Sequence, residues 1–353
     1  MKLSILTVIT ILGFAGGLHA EKYFFQYERE LQTVGPVTLS VTNQIGQVTI
    51  ESHESSQVLV KATKRIRAGK EAEAADIVKN IDISVTQTGD KITVATNIGE
   101  PNDDKKSFWR KLLGGSVENP VLAVDYEITV PVHTTVTVDN QSGAIKVTGI
   151  NGNLDLSMSS GSMSAAEIIG NVTMSGAGKI AMDHLTGALT IKSSGAAVTM
   201  TSVEGPIEIG NSSGSSEGHL LFGPVTVKQE SGKINLQFVE GDIRIKSSSA
   251  NIIVQQEKGS LDIATYTGSI EVQTALASEN DYFVESASGD INLRIPQQSS
   301  GHLQITSQAG DIKSEIPVVV DAMSKRELVG TFGSGGVRIS LSSTTGNVTV
   351  AQF

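Results

Sequence analysis

The chain lacks cysteine, and aromatic residues make up only 4% of its 353 residues. Without cysteine it can form neither disulfides nor thiolate metal sites, so packing and backbone pairing must supply its stability. Its net charge of -10 lacks the basic excess that is typical of proteins that bind nucleic acid or anionic lipid. We therefore expect no nucleic-acid partner and no general attraction to an acidic membrane surface.

Long apolar runs are also missing, except at the N-terminus. Lys2 supplies a charged start, Leu3 to Phe14 an apolar segment, and Leu18 to Ala20 an imperfect cleavage site. This order predicts a secretory signal peptide over residues 1–20. The run is shorter than the ~20 residues that a membrane span needs, so we expect no transmembrane span after signal removal. The predicted location is the periplasm, the cell surface or the extracellular space of a bacterium.

Glycine, in contrast, is abundant and marks a regular repeat. Between Gly143 and Val272 a start residue, Gly or Ala, recurs at nine-residue steps, with a single step of eight. The second and fourth residues after each start are mostly apolar, as in Ile145 and Val147. This alternation, begun by a residue that tolerates positive φ, predicts one short strand per step.

Two kinds of turn alternate between these strands, one of them rich in serine. Because like turns recur at every second step, the true repeat is about eighteen residues and contains two strands. One such coil cannot bury its own apolar face, so the coils must stack and fold together. The pattern predicts an all-β chain with the fold of a β-solenoid, related to β-helices and β-rolls.

The rest of the chain is assigned around this repeat. We predict an N-terminal β region over residues 21–99 with one short helix near residues 70–80, then an insertion over residues 100–120. The solenoid follows over residues 121–353. Its coils are expected to be regular over residues 143–272 and irregular over residues 273–353, where the turns lengthen.

Several segments resemble a known family. The units SGKINLQFVEGDIRIK and ASGDINLRIP, the C-terminal GSGGVRISLSSTTGNVTV and the export signal are similar to those of the bacterial "putative adhesin" family, a domain of unknown function. The resemblance covers the chain from about residue 35 to its end. It implies an extracytoplasmic β-solenoid, and it provides no catalytic residues to transfer.

The predicted insertion is one candidate contact site. It contains the only tryptophan of the chain within the run Phe108, Trp109, Arg110 and Lys111. An aromatic and basic cluster is typical of contacts with a partner or a membrane surface. The alternative interpretation is a flap that covers an exposed end of the sheet.

One step of the repeat breaks the apolar rule. After Gly214 the inward positions are Ser216 and Gly218, within a run that also contains Ser215, Glu217 and His219. Ser, Glu and His together suggest a hydrolase, but a catalytic triad normally draws its members from separate segments. An irregular coil, in which a bulge or loop interrupts the core, is the favoured interpretation.

Other chemistry finds little support in the sequence. Calcium-binding β-rolls need an Asp in every turn, whereas Asp follows the start residue only at Asp242, Asp290 and Asp311. No His spacing suggests zinc, so we predict neither a metal nor a cofactor. Polysaccharide-cleaving β-helices need clustered carboxylates, and the regular coils do not provide them.

We therefore expect an exported, non-enzymatic β-solenoid that serves as a binding, adhesin-like or scaffolding element of the bacterial envelope, with an envelope protein or glycan as its partner. The alternative is a polysaccharide-active enzyme with a cleft in the irregular C-terminal turns. End-to-end self-association is a further expectation, because an uncapped solenoid exposes strand edges.

Overall fold

The structure, a computed structural model, describes residues 9–10, 21–99, 122–277 and 280–353. Most of the predicted signal peptide and all of the predicted insertion, including Phe108, Trp109, Arg110 and Lys111, lie outside the described residues. The described part of the chain is all-β with one helix, which confirms the predicted fold class at this level. It divides into two compact units, Met1–Lys179 and Ile180–Phe353.

The elements of the first unit are short strands, several long bent strands and the helix. In chain order they are β1 (Ile9–Thr10), β2 (Glu21–Gln32), β3 (Val37–His53), β4 (Gln57–Ala68), α1 (Glu71–Val78), β5 (Ile81–Thr88), β6 (Lys91–Ile98), β7 (Leu122–Pro131), β8 (Thr134–Thr148), β9 (Leu154–Ile169) and β10 (Val172–Gly176).

A strand that bends forms a whole coil in this unit. The first part of β3 pairs in parallel with β6 and β8, and its second part pairs in parallel with β7 and β8. β9 then pairs in parallel with β8, with each residue opposite the one eighteen positions away. Residues 37–53 therefore stack directly on residues 134–148, although the chain between them leaves the coil.

Glycine permits the close stacking at the bends. Gly143 has φ +129°, and a Cβ there would lie 2.0 Å from the carbonyl oxygen of Gly46. Gly161 has φ +128° and the same separation from the carbonyl oxygen of Gly143. A side chain at either position would force the coils apart, so the predicted start residues serve the contact between coils as well as the turn.

Antiparallel strands and the helix cover one end of this stack. β4 pairs antiparallel with β7, β2 with β4, and β5 with β6. α1 packs against β4 and β2 with Ala74 and Ile77 buried, and Glu71 and Glu73 in its first turn favour the helix dipole. Inside this end the Tyr126 hydroxyl lies 2.6 Å from Thr96 Oγ1, and burial raises the pKa of Tyr126 to about 12.

The second unit contains only strands among its described residues. They are β11 (Lys179–Thr186, whose first residue belongs to the first unit), β12 (Leu189–Ser193), β13 (Ala197–Glu204), β14 (Ile207–Asn211), β15 (Ser215–Phe222), β16 (Val225–Glu240), β17 (Ile243–Lys258), β18 (Leu261–Thr267), β19 (Ile270–Thr274), β20 (Asp281–Ser288), β21 (Ile291–Ile295), β22 (Gly301–Ser307), β23 (Ile312–Ser314), β24 (Val319–Met323), β25 (Glu327–Phe332), β26 (Val337–Ser343) and β27 (Val348–Gln352).

Two parallel sheets run through this unit. On the first side the order is β12, β14, β16, β17, β18, β20, β26 and β22. On the second side it is β13, β15, β16, β17, β19, β21, β27 and β23. β16 and β17 are long enough to bend and contribute to both sides. Apolar side chains alternate inward along most of the strands, as the period of two predicts.

The C-terminal coil does not lie where its place in the sequence suggests. β26 is inserted between β20 and β22, and β27 between β21 and β23. β25 then pairs antiparallel with β22, and β24 pairs antiparallel with β25. The outer edge of β22 is therefore covered, and the expectation of an uncapped end is wrong for this strand. End-to-end association stays a prediction, and β24, with Val319 and Met323 exposed, is the outermost strand of the first side.

The inserted coil provides a stability test. Ile339 on β26 is 2% exposed and stands between Tyr282 and Leu303 on the neighbouring strands. We expect Ile339→Ala to lower the free energy of unfolding by about 2–5 kcal/mol, because it opens a cavity inside the stack. Urea unfolding checks this, with Ser340→Ala on the outward side of β26 as the control, expected within about 0.5 kcal/mol of wild type. Equal effects of the two substitutions would contradict the position of β26 between β20 and β22.

Candidate functional site

Polar residues at the turns mainly join one coil to the next. The carboxylate of Asp242 accepts hydrogen bonds from the backbone N–H of Ser260 at 2.9 Å and from its hydroxyl at 2.8 Å. These bonds hold the pKa of Asp242 below its ordinary value. Asp290 accepts a bond from the backbone N–H of Asn347 at 2.7 Å. Two of the three Asp residues considered for calcium therefore stabilise the stacking of coils.

The step with the unusual inward residues keeps the regular backbone. β15 pairs in parallel with β13 and with β16, and Ser216 stands opposite Val198 and Ile234 in unbroken register. Leu220 has φ +58°, but Ser202 and Phe238 show the same conformation at the matching positions of adjacent coils. The structure has a paired strand here and not a loop, and the bulge-like bend at Leu220 is common to several coils, so it does not distinguish this step.

The inward side chain of Ser216 forms a hydrogen bond with the buried side-chain amide of Gln229. Its hydroxyl donates to Gln229 Oε1 at 2.7 Å, and Gln229 Nε2 contacts the carbonyl oxygens of Gly214, Ser231 and Lys233 at 3.0–3.3 Å. Ser216 and Gln229 are 0% and 2% exposed. Buried polar groups need such partners, so the serine replaces an aliphatic residue to complete a network at the turn.

Gly218 has a separate packing role. A Cβ at this position would lie 2.7 Å from Leu221 Cδ1, 3.2 Å from Leu236 Cδ2 and 3.3 Å from Met200 Cε. The missing side chain therefore leaves room for three larger neighbours. The core stays filled at this step, although its own two inward residues are small or polar.

Glu217 and His219 lie on the outward side of the same strand, opposite in direction to Ser216. The ring of His219 meets Phe238 edge to face, with centroids 5.1 Å apart and planes at 76°. Ser215, which begins the strand, is half-buried. The structure thus does not bring the Ser216 hydroxyl together with Glu217 or His219, and its donated bond to Gln229 leaves no arrangement for nucleophilic attack.

An open groove on the second unit brings together side chains that the sequence reasoning missed. It lies where the first side meets the serine-rich turns and has a volume of about 420 Å³. We name it the lysine groove and define it by six of its lining residues: Gly210, Ser212, Lys228, Glu230, Lys246 and Ser248. The signal was present in the sequence, since positions 192, 210, 228 and 246 share the eighteen-residue spacing.

Outward residues at matching positions of paired strands form columns along the stack, and the strand register determines which residues share a column. Lys192 stands beside Gly210, Gly210 beside Lys228, and Lys228 beside Lys246. Parallel neighbours are spaced about 4.8 Å apart, so a lysine column runs along the stack with one gap at Gly210. The structure thereby assembles an open, polar surface with lysines on two adjacent strands.

Neither a metal cluster nor a membrane-spanning helix is found in the part of the chain that the structure describes. The turns with Pro296 and Val318, where the enzyme alternative places a cleft, adjoin the antiparallel pair β24 and β25. That alternative stays a prediction.

The buried network gives a direct test of the structural role of Ser216. We expect Ser216→Ala to lower the free energy of unfolding by about 1–3 kcal/mol, because Gln229 Oε1 then loses its buried partner. Glu217→Gln is the matched control, expected within about 0.5 kcal/mol of wild type because its side chain is exposed. Chemical unfolding measures both variants. A neutral Ser216→Ala would contradict the network.

Comparison with known protein families identifies the family of this chain. The family model described as Toastrack DUF4097 matches residues 38–351. A search of curated proteins finds no match. A solved structure, titled as a "putative cell adhesion protein" from Clostridium sporogenes, is 8% identical and is matched over 93% of this chain and 100% of that chain. Its TM-score of 0.21 is too low to support an argument about fold or function. The length of the family match shows that the chain belongs to the Toastrack DUF4097 family.

Proposed function

We propose that the protein is an exported β-solenoid that acts as a non-enzymatic binding element, adhesin-like or scaffolding, in the bacterial envelope. The observation that carries this proposal is the lysine groove, an open polar surface held by regular strands. Rigid strands place outward side chains at fixed intervals, which suits recognition of an extended partner. An envelope protein or a glycan is the proposed partner class.

The roles of the reactive residues support binding more than catalysis. Ser216 is buried in a structural network, and Asp242 and Asp290 accept backbone hydrogen bonds between coils. No comparable observation in the described ranges favours the alternative of a polysaccharide-active enzyme. Export is proposed from residues 1–20 alone, whose composition is that of a signal peptide.

The run Phe108, Trp109, Arg110 and Lys111 is proposed as a second contact, independent of the lysine groove. Its support is compositional, since an aromatic residue flanked by basic residues is typical of binding surfaces. Its competing interpretation, a flap over a sheet end, predicts a loss of stability on deletion without a loss of binding.

Two measurements on the native bacterium test the proposed function. We expect cell fractionation to find the protein outside the cytoplasm, with mass spectrometry giving Glu21 as its first residue. We expect immobilised protein comprising residues 21–353 to retain a specific component of the native envelope. An unprocessed cytoplasmic protein that retains no such component would contradict the proposal.

A deletion of residues 100–120 separates the two contact proposals. Loss of the retained component, with unchanged thermal unfolding, would assign the contact to Phe108–Lys111. Unchanged retention would contradict that assignment and leave the second unit as the binding region. Replacement of the four residues by Ser within the intact segment is the matched control for the change in chain length.

A further inference from the structure

The lysine groove contains positive charge that neighbouring residues only partly balance. Lys228 Nζ lies 3.9 Å from Glu208 Oε1, a long separation for an ion pair at an exposed position. Lys246, beside it, has no ion pair within 4.0 Å among the residues that the structure describes. Glu230 supplies one carboxylate at the other wall. An anionic group held beside Lys246 would supply the partner that the described residues do not.

The lysine groove is basic although the chain as a whole is acidic. The net charge of -10 disfavours general attraction of a polyanion. Elsewhere on the first side the long basic residue Arg244 is already paired, with Nε 3.0 Å from Asp262 Oδ2. An acidic ligand is therefore expected to bind where lysines lie on adjacent strands, and not to the surface of the unit as a whole.

The gap in the lysine column creates the depression. Gly210 occupies the position that Lys192 and Lys228 occupy in the neighbouring coils. A Cβ on Gly210 would have its nearest contact, the carbonyl oxygen of Ile191, at 3.9 Å, an ordinary van der Waals distance. Neither backbone conformation nor packing requires glycine here, in contrast to Gly143 or Gly161. The missing side chain instead leaves space at the surface beside two cationic residues.

The second wall carries hydroxyl groups, and an exposed aromatic ring lies one strand beyond the groove. Ser212 and Ser248 line the groove, and Tyr266 follows Thr265, which pairs with Ser247. Tyr266 therefore stands next to Ser248 in the adjacent coil, and it is 71% exposed. Hydroxyl groups exchange hydrogen bonds with sugar hydroxyls, and a tyrosine ring offers an apolar face with a polar end.

We propose that the lysine groove binds an acidic polysaccharide, with Lys228 and Lys246 contacting its carboxylate or sulfate groups and Tyr266 stacking on a sugar ring. The groove is open and its columns run along the stacking direction of the coils, so a polymer fits it better than a small enclosed ligand. This proposal names the ligand class of the proposed binding function and rests on it.

Binding of defined polysaccharides to the protein comprising residues 21–353 tests the proposal. The probes are polygalacturonate for carboxylate, dextran sulfate for sulfate and dextran as the neutral polymer, measured by calorimetry at low and high salt. We expect at least one acidic probe to bind, more weakly at high salt because the contact is ionic and exposed. The acidic probe that binds more tightly identifies the acidic group. Equal binding of dextran, or no binding of either acidic probe, would overturn the proposal.

Substitutions then locate the contact. Lys228→Gln and Lys246→Gln should each weaken binding about fivefold, the value expected for loss of one exposed ionic contact of about 1 kcal/mol. Tyr266→Ala should also weaken it severalfold, while Tyr266→Phe should retain most of the affinity. Lys233→Gln, which removes an exposed lysine of β16 outside the groove, is the matched control and should leave binding unchanged. Equal losses for all the lysine variants would show general charge attraction and overturn the proposal.

Substitutions of Gly210 distinguish the effect of groove shape on binding from the effect of charge. Gly210→Gln fills the depression without changing charge, and Gly210→Lys fills it while adding a positive charge. We expect both to weaken binding with unchanged thermal unfolding, because the position tolerates a side chain. Tighter binding by Gly210→Lys would overturn the proposal in favour of simple charge attraction. If no acidic probe binds while the immobilised protein still retains a component of the native envelope, this inference is wrong and the proposed function is still supported.

Discussion

Backbone hydrogen bonding between residues eighteen positions apart is the interaction on which the regular coils of each unit depend. It places each outward residue beside its counterpart in the next coil, as Glu208 stands beside Thr226. It also brings the backbone of one coil against the bend of the next, where Gly161, eighteen residues after Gly143, leaves no room for a Cβ. Inward packing, glycine positions and surface columns are all consequences of this one register.

Bends in such a stack leave backbone carbonyl groups inside the protein, and buried amides satisfy several of them. Asn43 and Asn140 donate to the carbonyl oxygens of Val124 and Gly46 in the first unit. In the second unit Asn211 donates to Ala196, and Gln256 to Gly241. These residues explain why polar side chains interrupt the apolar pattern, since an unpaired buried carbonyl would destabilise the coil.

The sequence alone predicts the repeat, its period and the all-β class, because each depends on neighbours along the chain. It does not predict that β26 and β27 enter the stack out of order, since their partners are chosen by long-range pairing that leaves no periodic mark. Ser216 looked like a defect because its partner Gln229 is recognised only in three dimensions. The eighteen-residue spacing of Lys228 and Lys246 predicts that they are neighbours, but the sequence does not show that both side chains face solvent.

Disulfide trapping across a column tests the register most directly, because the native chain has no cysteine. With cysteines at Glu208 and Thr226, neighbours about 4.8 Å apart, the account predicts rapid and nearly complete intramolecular cross-linking on mild oxidation, since bridged Cα atoms are typically about 4.4–6.8 Å apart. Cysteines at Glu208 and Glu217, which are closer in sequence but lie on opposite sides of the coil, should stay reduced. Preferential cross-linking of the second pair would contradict the eighteen-residue register.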